Sequence, residues 1–184
     1  TWFRNAIKLF EDNNVGWAWW PMKKNGSVVG PLTVERTEDY NSLLNYWKNG
    51  GAKPTEAFAY NALMEIADDL LIGNNTYHPD VIDAMFRQVS DNSTKPFKMN
   101  TIPGQINATD FDMGRNGYAY YDLDTGNYRV STGVYTTWNT GWTYRNDGVD
   151  IEVTEDNDVK SNGYNVGWTN PGEWMQYTAT VTSS

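Results

Sequence analysis

The run Val15-Gly16-Trp17-Ala18-Trp19-Trp20-Pro21 makes the heaviest demand on any fold this chain can adopt. It is short, apolar and closed by proline, the pattern of a buried strand. Such a strand carries backbone donors and acceptors on both edges, and each needs a partner. Its surroundings offer helices instead. Trp2, Phe3, Ala6, Ile7 and Phe10 recur at helical spacing before it. Residues 37–47 follow as a helix ended by Gly50-Gly51, and residues 54–72 as a longer one. Pro79 opens a further helix over 80–89 from its favoured first-turn position. One strand among helices does not complete an α/β layer, so its neighbours are expected in sequence preceding Thr1. On its own the helical half is expected to be loosely packed or self-associating around its exposed apolar surface.

Past a polar, proline-interrupted stretch the habit changes. From Ile102 onward, β-type clusters alternate with Gly, Asn and Asp, and turns are expected at residues 124–127, 146–148 and 170–172. This is an all-β sandwich pattern, although about 80 residues fall short of the ~100 a sandwich commonly takes. The chain therefore reads as an internal piece of a longer polypeptide in three parts: residues 1–90, a linker over 91–101, and residues 102–184. Its net charge of −9 argues against a general nucleic-acid binder, which needs a basic surface. The lack of Cys removes disulfides, thiol nucleophiles and cysteine-ligated zinc. No apolar run approaches the ~20 residues of a membrane span.

Two resemblances give these parts a meaning. Trp2 to Lys24, a helix followed by Gly-Trp-Ala-Trp-Trp-Pro and lysines, resembles the last helix-strand step of the (β/α)8 barrel in glycoside hydrolase family 5, the cellulase-like family. Several ordered motifs in the second half resemble carbohydrate-binding module family 6. They are Ile102-Pro103-Gly104-Gln105-Ile106 with Asp110-Phe111-Asp112, Gly117 to Asp122 with Asp124-Thr125-Gly126-Asn127, Tyr144 to Glu152, Gly163 to Trp168, and Gly172-Glu173-Trp174. The resemblance implies the C-terminal segment of a (β/α)8 barrel, mostly helical here with one barrel strand, followed by the N-terminal part of a β-sandwich of jelly-roll type. The parent it implies is a secreted, extracellular endo-β-1,4-glucanase-like enzyme acting on cellulose or hemicellulose. No nucleic-acid or membrane partner is expected.

In that family two glutamates at the ends of barrel strands four and seven do the retaining chemistry, ~5–5.5 Å apart. Both would precede Thr1, so no catalytic residue is assigned here and the chain alone is expected to be inactive. Trp20, at the carboxyl end of the expected strand, is the implied sugar-stacking platform, with Lys23 and Lys24 as hydroxyl-binding neighbours. Glu152 and Trp168 match the module's loop-site glutamate and first aromatic. Trp138 and Trp142 are further candidates, lying in an Asn/Thr/Gly-rich loop where an exposed aromatic suits binding. Alternation sets Trp174 and Gln176 on one face, Met175 and Tyr177 on the other, and Trp174 is expected inside. His78 is expected to be structural.

No cofactor is expected. The module family often carries a structural Ca2+, but Thr109 stands where its first-strand carboxylate belongs. Asp122-Leu123-Asp124-Thr125-Gly126 has the look of a Ca2+ loop, yet Asn127 and Gly133 occupy the positions an EF-hand gives to Gly and Glu. Two other readings compete: a carbohydrate-binding protein without catalysis, and a truncated fragment with no function of its own.

Overall fold

The computed structural model describes residues 2–28, 30–125 and 140–182. It divides into two compact units: Ala18–His78, and Thr1–Trp17 together with Pro79–Ser184. Among the described residues there are four α-helices and several small sheets, with no closed barrel.

In the unit Ala18–His78, β1 (Lys23–Asn25) runs parallel to β2 (Leu32–Val34), and β2 pairs antiparallel with β3 (Thr76–Tyr77). The parallel step takes only a short return loop, because each strand is three residues long and little distance must be recovered. Gly26, at φ +60°, makes that return, and a Cβ there would collide with the Arg36 guanidinium. Two helices follow, α2 (Glu38–Asn49) and α3 (Glu56–Asp69). Each starts from a threonine cap: Thr37 accepts from Tyr40 N at 3.1 Å, Thr55 from Phe58 N at 3.2 Å. Leu43, Ala62 and Ile66 are buried along these helices, and β2 is buried throughout. His78 is buried and hydrogen-bonded to Thr33 Oγ1 at 2.9 Å, a structural placement.

The strand expected over residues 15–21 is not formed. α1 (Trp2–Asp12) closes with Asn14 in the left-handed region, φ +55°, and Val15 N donates back to Phe10 O at 2.8 Å. Residues 15–21 pair with no ladder, and sheet pairing begins only at Lys23. Apolar composition had suggested burial. Instead Val15 and Trp20 are exposed, Trp20 by 85%.

The other unit joins α1 to α4 (Pro79–Ser90) and to the β-rich remainder. Ile7 meets Met85 and Val89, with Phe3, Val81 and Trp17 packed around them. The linker expected at 91–101 falls inside this unit. Arg87 shows why: it pairs with Asp83 one turn back on α4, holds Ser93 Oγ at 3.0 Å and donates to Met113 O at 3.2 Å. Lys95 and Met113 then exchange backbone hydrogen bonds.

Among the described residues, three two-stranded ladders build the β region. β4 (Asn100–Ile102) lies parallel to β9 (Ala179–Val181). β5 (Tyr120–Tyr121) is antiparallel to β8 (Trp174–Met175), and β6 (Ile151–Val153) to β7 (Tyr164–Val166). Phe111, Ala119, Tyr120, Val149 and Ile151 form the core, with Met175 and Tyr177 against it. Trp174 therefore faces outward, 43% exposed, contrary to the expectation that it packs inside; Met175 has taken the inner face.

The centre of this region is polar. Arg145 is fully buried, its guanidinium 3.5 Å above the Phe111 ring and 4.4 Å from that of Phe97. It donates to the backbone carbonyls of Thr109, Phe111 and Asp112 and pairs with Asp147 at 2.5 Å. Asp112, also fully buried, accepts from Thr178 N, Thr178 Oγ1 and Gln176 Nε2 at 2.8, 2.6 and 2.9 Å. Both charges thus have the partners that burial requires.

Candidate functional site

The β6–β7 ladder sets Glu152 directly across from Asn165. Asn165 Nδ2 donates to Glu152 Oε1 at 2.7 Å and fixes one side of the carboxylate. The carboxylate also lies against Gly167, where a Cβ would stand 3.0 Å from Oε1. Gly167 N donates to Asp150 O at 3.0 Å, which carries the β6–β7 pairing one residue further. The next residue is Trp168, at φ +45° and 48% exposed. A left-handed backbone is uncommon for a bulky residue, and here it turns the indole outward at the end of β7. Glu152 thus lies across the ladder from Asn165, and Trp168 follows Gly167 just beyond the end of β7 with an open indole. An exposed indole can stack on a sugar's C–H face, and a carboxylate can accept two hydroxyl hydrogen bonds.

The remaining expected residues are more scattered. Trp142 is half-buried, and Trp138 lies outside the described residues. In the unit Ala18–His78, Trp20 presents an open indole, Lys24 is exposed, and Lys23 Nζ donates to Leu70 O. That bond ties Lys23 to the end of α3. A broad cleft of about 530 Å3 runs along α2, lined by Arg36, Asn41, Leu44, Asn45, Trp47 and Lys48. It contains none of the residues singled out from the sequence.

The Thr109 region does not suit a bound metal. Thr109 is fully buried, its hydroxyl accepts from Asn162 Nδ2 at 2.8 Å, and its carbonyl is taken by Arg145. The neighbouring Asp110 is engaged by Tyr144 and Asn107, and Lys98 stands 3.6 Å away. No carboxylate is spare there.

A second acidic group stands elsewhere, at the ends of three strands. The β5–β8 register pairs Tyr121 with Trp174, so Asp122 and Glu173 leave the ladder side by side. Glu173 accepts from Leu123 N at 3.0 Å and from Asn170 N at 2.6 Å, and these bonds hold its carboxyl below the usual range despite some desolvation. Asp122 and Asp150 behave oppositely. Burial pushes Asp122 up to about 6, and burial with the charges of Asp122, Asp124 and Glu173 pushes Asp150 up to about 7.

Sequence reasoning missed Asn165 and Gly167, whose roles come from cross-strand register. It also missed Asp150 as part of an acidic group, since the nearest members lie more than twenty residues away in sequence. Compared with family models, curated proteins and solved structures, the chain matches none.

Proposed function

We propose that this chain binds β-linked polysaccharide through Trp168 and Glu152, as part of a secreted, retaining, endo-β-1,4-glucanase-like glycoside hydrolase. The observation that supports the reading is the end of the β6–β7 ladder, where Asn165 orients the Glu152 carboxylate and Trp168, three residues after Asn165, is exposed. Trp168 stacks on the sugar's C–H face, while Glu152 accepts from its hydroxyls. The module's task is to hold the parent enzyme on insoluble substrate and raise local substrate concentration. Trp20, with Lys24 near it in sequence, supplies a sugar platform in the barrel-derived unit. Hydrolysis belongs to glutamates of the parent enzyme, so these 184 residues bind without cleaving.

The test is a pull-down on insoluble cellulose and xylan, with carboxymethylcellulose hydrolysis assayed alongside. Binding without hydrolysis is expected, abolished in Trp168→Ala. Gly167→Ala should weaken it by displacing the Glu152 carboxylate, without loss of the folded state. Hydrolysis above a buffer blank, or binding that survives Trp168→Ala, overturns the reading.

A further inference from the structure

The cleft along α2 lies wholly within the unit Ala18–His78 and shares no residue with the site at Glu152 and Trp168. Asn41, Leu44, Asn45 and Lys48 line it at helical positions i, i+3, i+4 and i+7, so one stripe of α2 forms its floor. Leu43, off that stripe, is buried in the unit, which leaves the stripe to solvent. Trp47, 56% exposed, borders it, and Arg36 enters from the segment before the helix. That arginine is held in place. Its Nε donates to Asn25 Oδ1 and its Nη2 to Asn25 O at 3.1 Å, while the guanidinium lies against Gly26, which has no Cβ to displace it. Two of its three nitrogens are thereby engaged, and Nη1 remains to donate to a ligand.

The chemistry of the cleft is one-sided. Asn49 Nδ2 donates to Asn45 Oδ1 at 2.6 Å, so what Asn45 offers a ligand is chiefly its Nδ2 donor. The Trp47 indole and the Lys48 ammonium can only donate. Among the described residues no hydrogen bond or ion pair engages the side chains of Asn41, Trp47 or Lys48. None of the lining residues is acidic, although the chain carries a net charge of −9, and Glu38 and Asp39 of the first turn lie outside the lining. Arg36 precedes the helix and Lys48 sits in its last turn, so roughly 15 Å of helix separates the two cations at 1.5 Å per residue. A single carboxylate meets one of them; an extended chain with repeated carboxylates meets both. Between them Leu44 and Trp47 offer apolar surface of the kind a sugar's C–H face covers. We propose that this cleft binds an acidic glycan, a short run of uronic acid residues. Its carboxylates pair with Arg36 and Lys48, a ring packs on Trp47, and hydroxyls accept from the Asn41 and Asn45 amides. An acidic peptide satisfies the cations but brings no rigid ring for the indole. The choice of a glycan rests on the polysaccharide reading above, whereas the preference for an anion rests on the cleft alone.

Calorimetric titration of the full 184-residue chain carrying Trp168→Ala tests this with the other site silenced, so the two sites can fail separately. Trigalacturonate should bind about tenfold more tightly than cellotriose and lose affinity as salt is raised. Lys48→Gln and Trp47→Ala should each weaken trigalacturonate binding about fivefold, and Lys48→Gln decides the matter if Trp47→Ala does not fold. Lys53→Gln is the control, an exposed lysine of the same unit outside the cleft, and should leave binding unchanged. Cellotriose or a triglutamate peptide bound as tightly as trigalacturonate, binding undiminished in Lys48→Gln, or binding lost in Lys53→Gln overturns the proposal.

Discussion

The two units are held together by different means. In Ala18–His78, threonine caps start α2 and α3, the buried residues are mostly apolar, and much apolar surface stays open: Trp47, Tyr60, Leu71 and Ile72 are each more than half exposed. In the other unit, short ladders surround an interior wired by charge, with Arg145 and Asp112 joining segments far apart in sequence and Asp147 pairing with Arg145. The contrast shows that short strands can hold together when a buried polar network takes over the work of long ladders. It also implies that single substitutions should act very differently in the two units.

The largest loss is expected from Arg145→Ala, which leaves Asp147 and three backbone carbonyls without their cation. Removal of one partner from a buried pair costs about 3–5 kcal/mol, and a urea titration followed by near-ultraviolet circular dichroism should show it. Leu43→Ala, in the apolar interior of the other unit, should cost about 3 kcal/mol by cavity formation, within the range for buried leucine. An equal or smaller loss for Arg145→Ala would break the comparison.

Titration offers a third test. Asp122 and Asp150 hold their protons up to about 6 and about 7, well above the ordinary 3.8. Between those values the folded state is protonated where the unfolded state is not, so stability rises as pH falls through this window. The urea midpoint should climb from pH 8 to pH 5, and Asp150→Asn should flatten the profile. A midpoint that falls steadily over the same range contradicts the placement of these acids. The smallest effect belongs to Thr55→Ala: loss of one cap costs about 1 kcal/mol of the Ala18–His78 unit, read as a lower thermal midpoint at 222 nm.

What could be read in advance follows the same division. All four helices lie where periodicity, caps and the first-turn Pro79 set them, because those signals act within a turn or two of the chain. The strand expected at 15–21 failed because an apolar run states what would like to be buried, not what is available to pair with it. Trp174 was misplaced for a related reason: alternation fixes which residues share a face but not which face is inner. Glu152 and Trp168 were legible as candidates. The Asn165 partner of Glu152 and the exposure of Trp168 were not, since they depend on cross-strand register and on the backbone turn at Trp168. Asp150 was legible only as one member of an acidic stretch, because its neighbours arrive from two other strand ends.

The most direct test of the proposed sugar site at Glu152 and Trp168 is an NMR titration with cello- and xylo-oligosaccharides that follows side-chain N–H signals. The account predicts that the Trp168 indole and the Asn165 side-chain amide shift together with one affinity, and that Trp168→Ala abolishes the response at Asn165. Saturable binding that leaves both signals unmoved would contradict it.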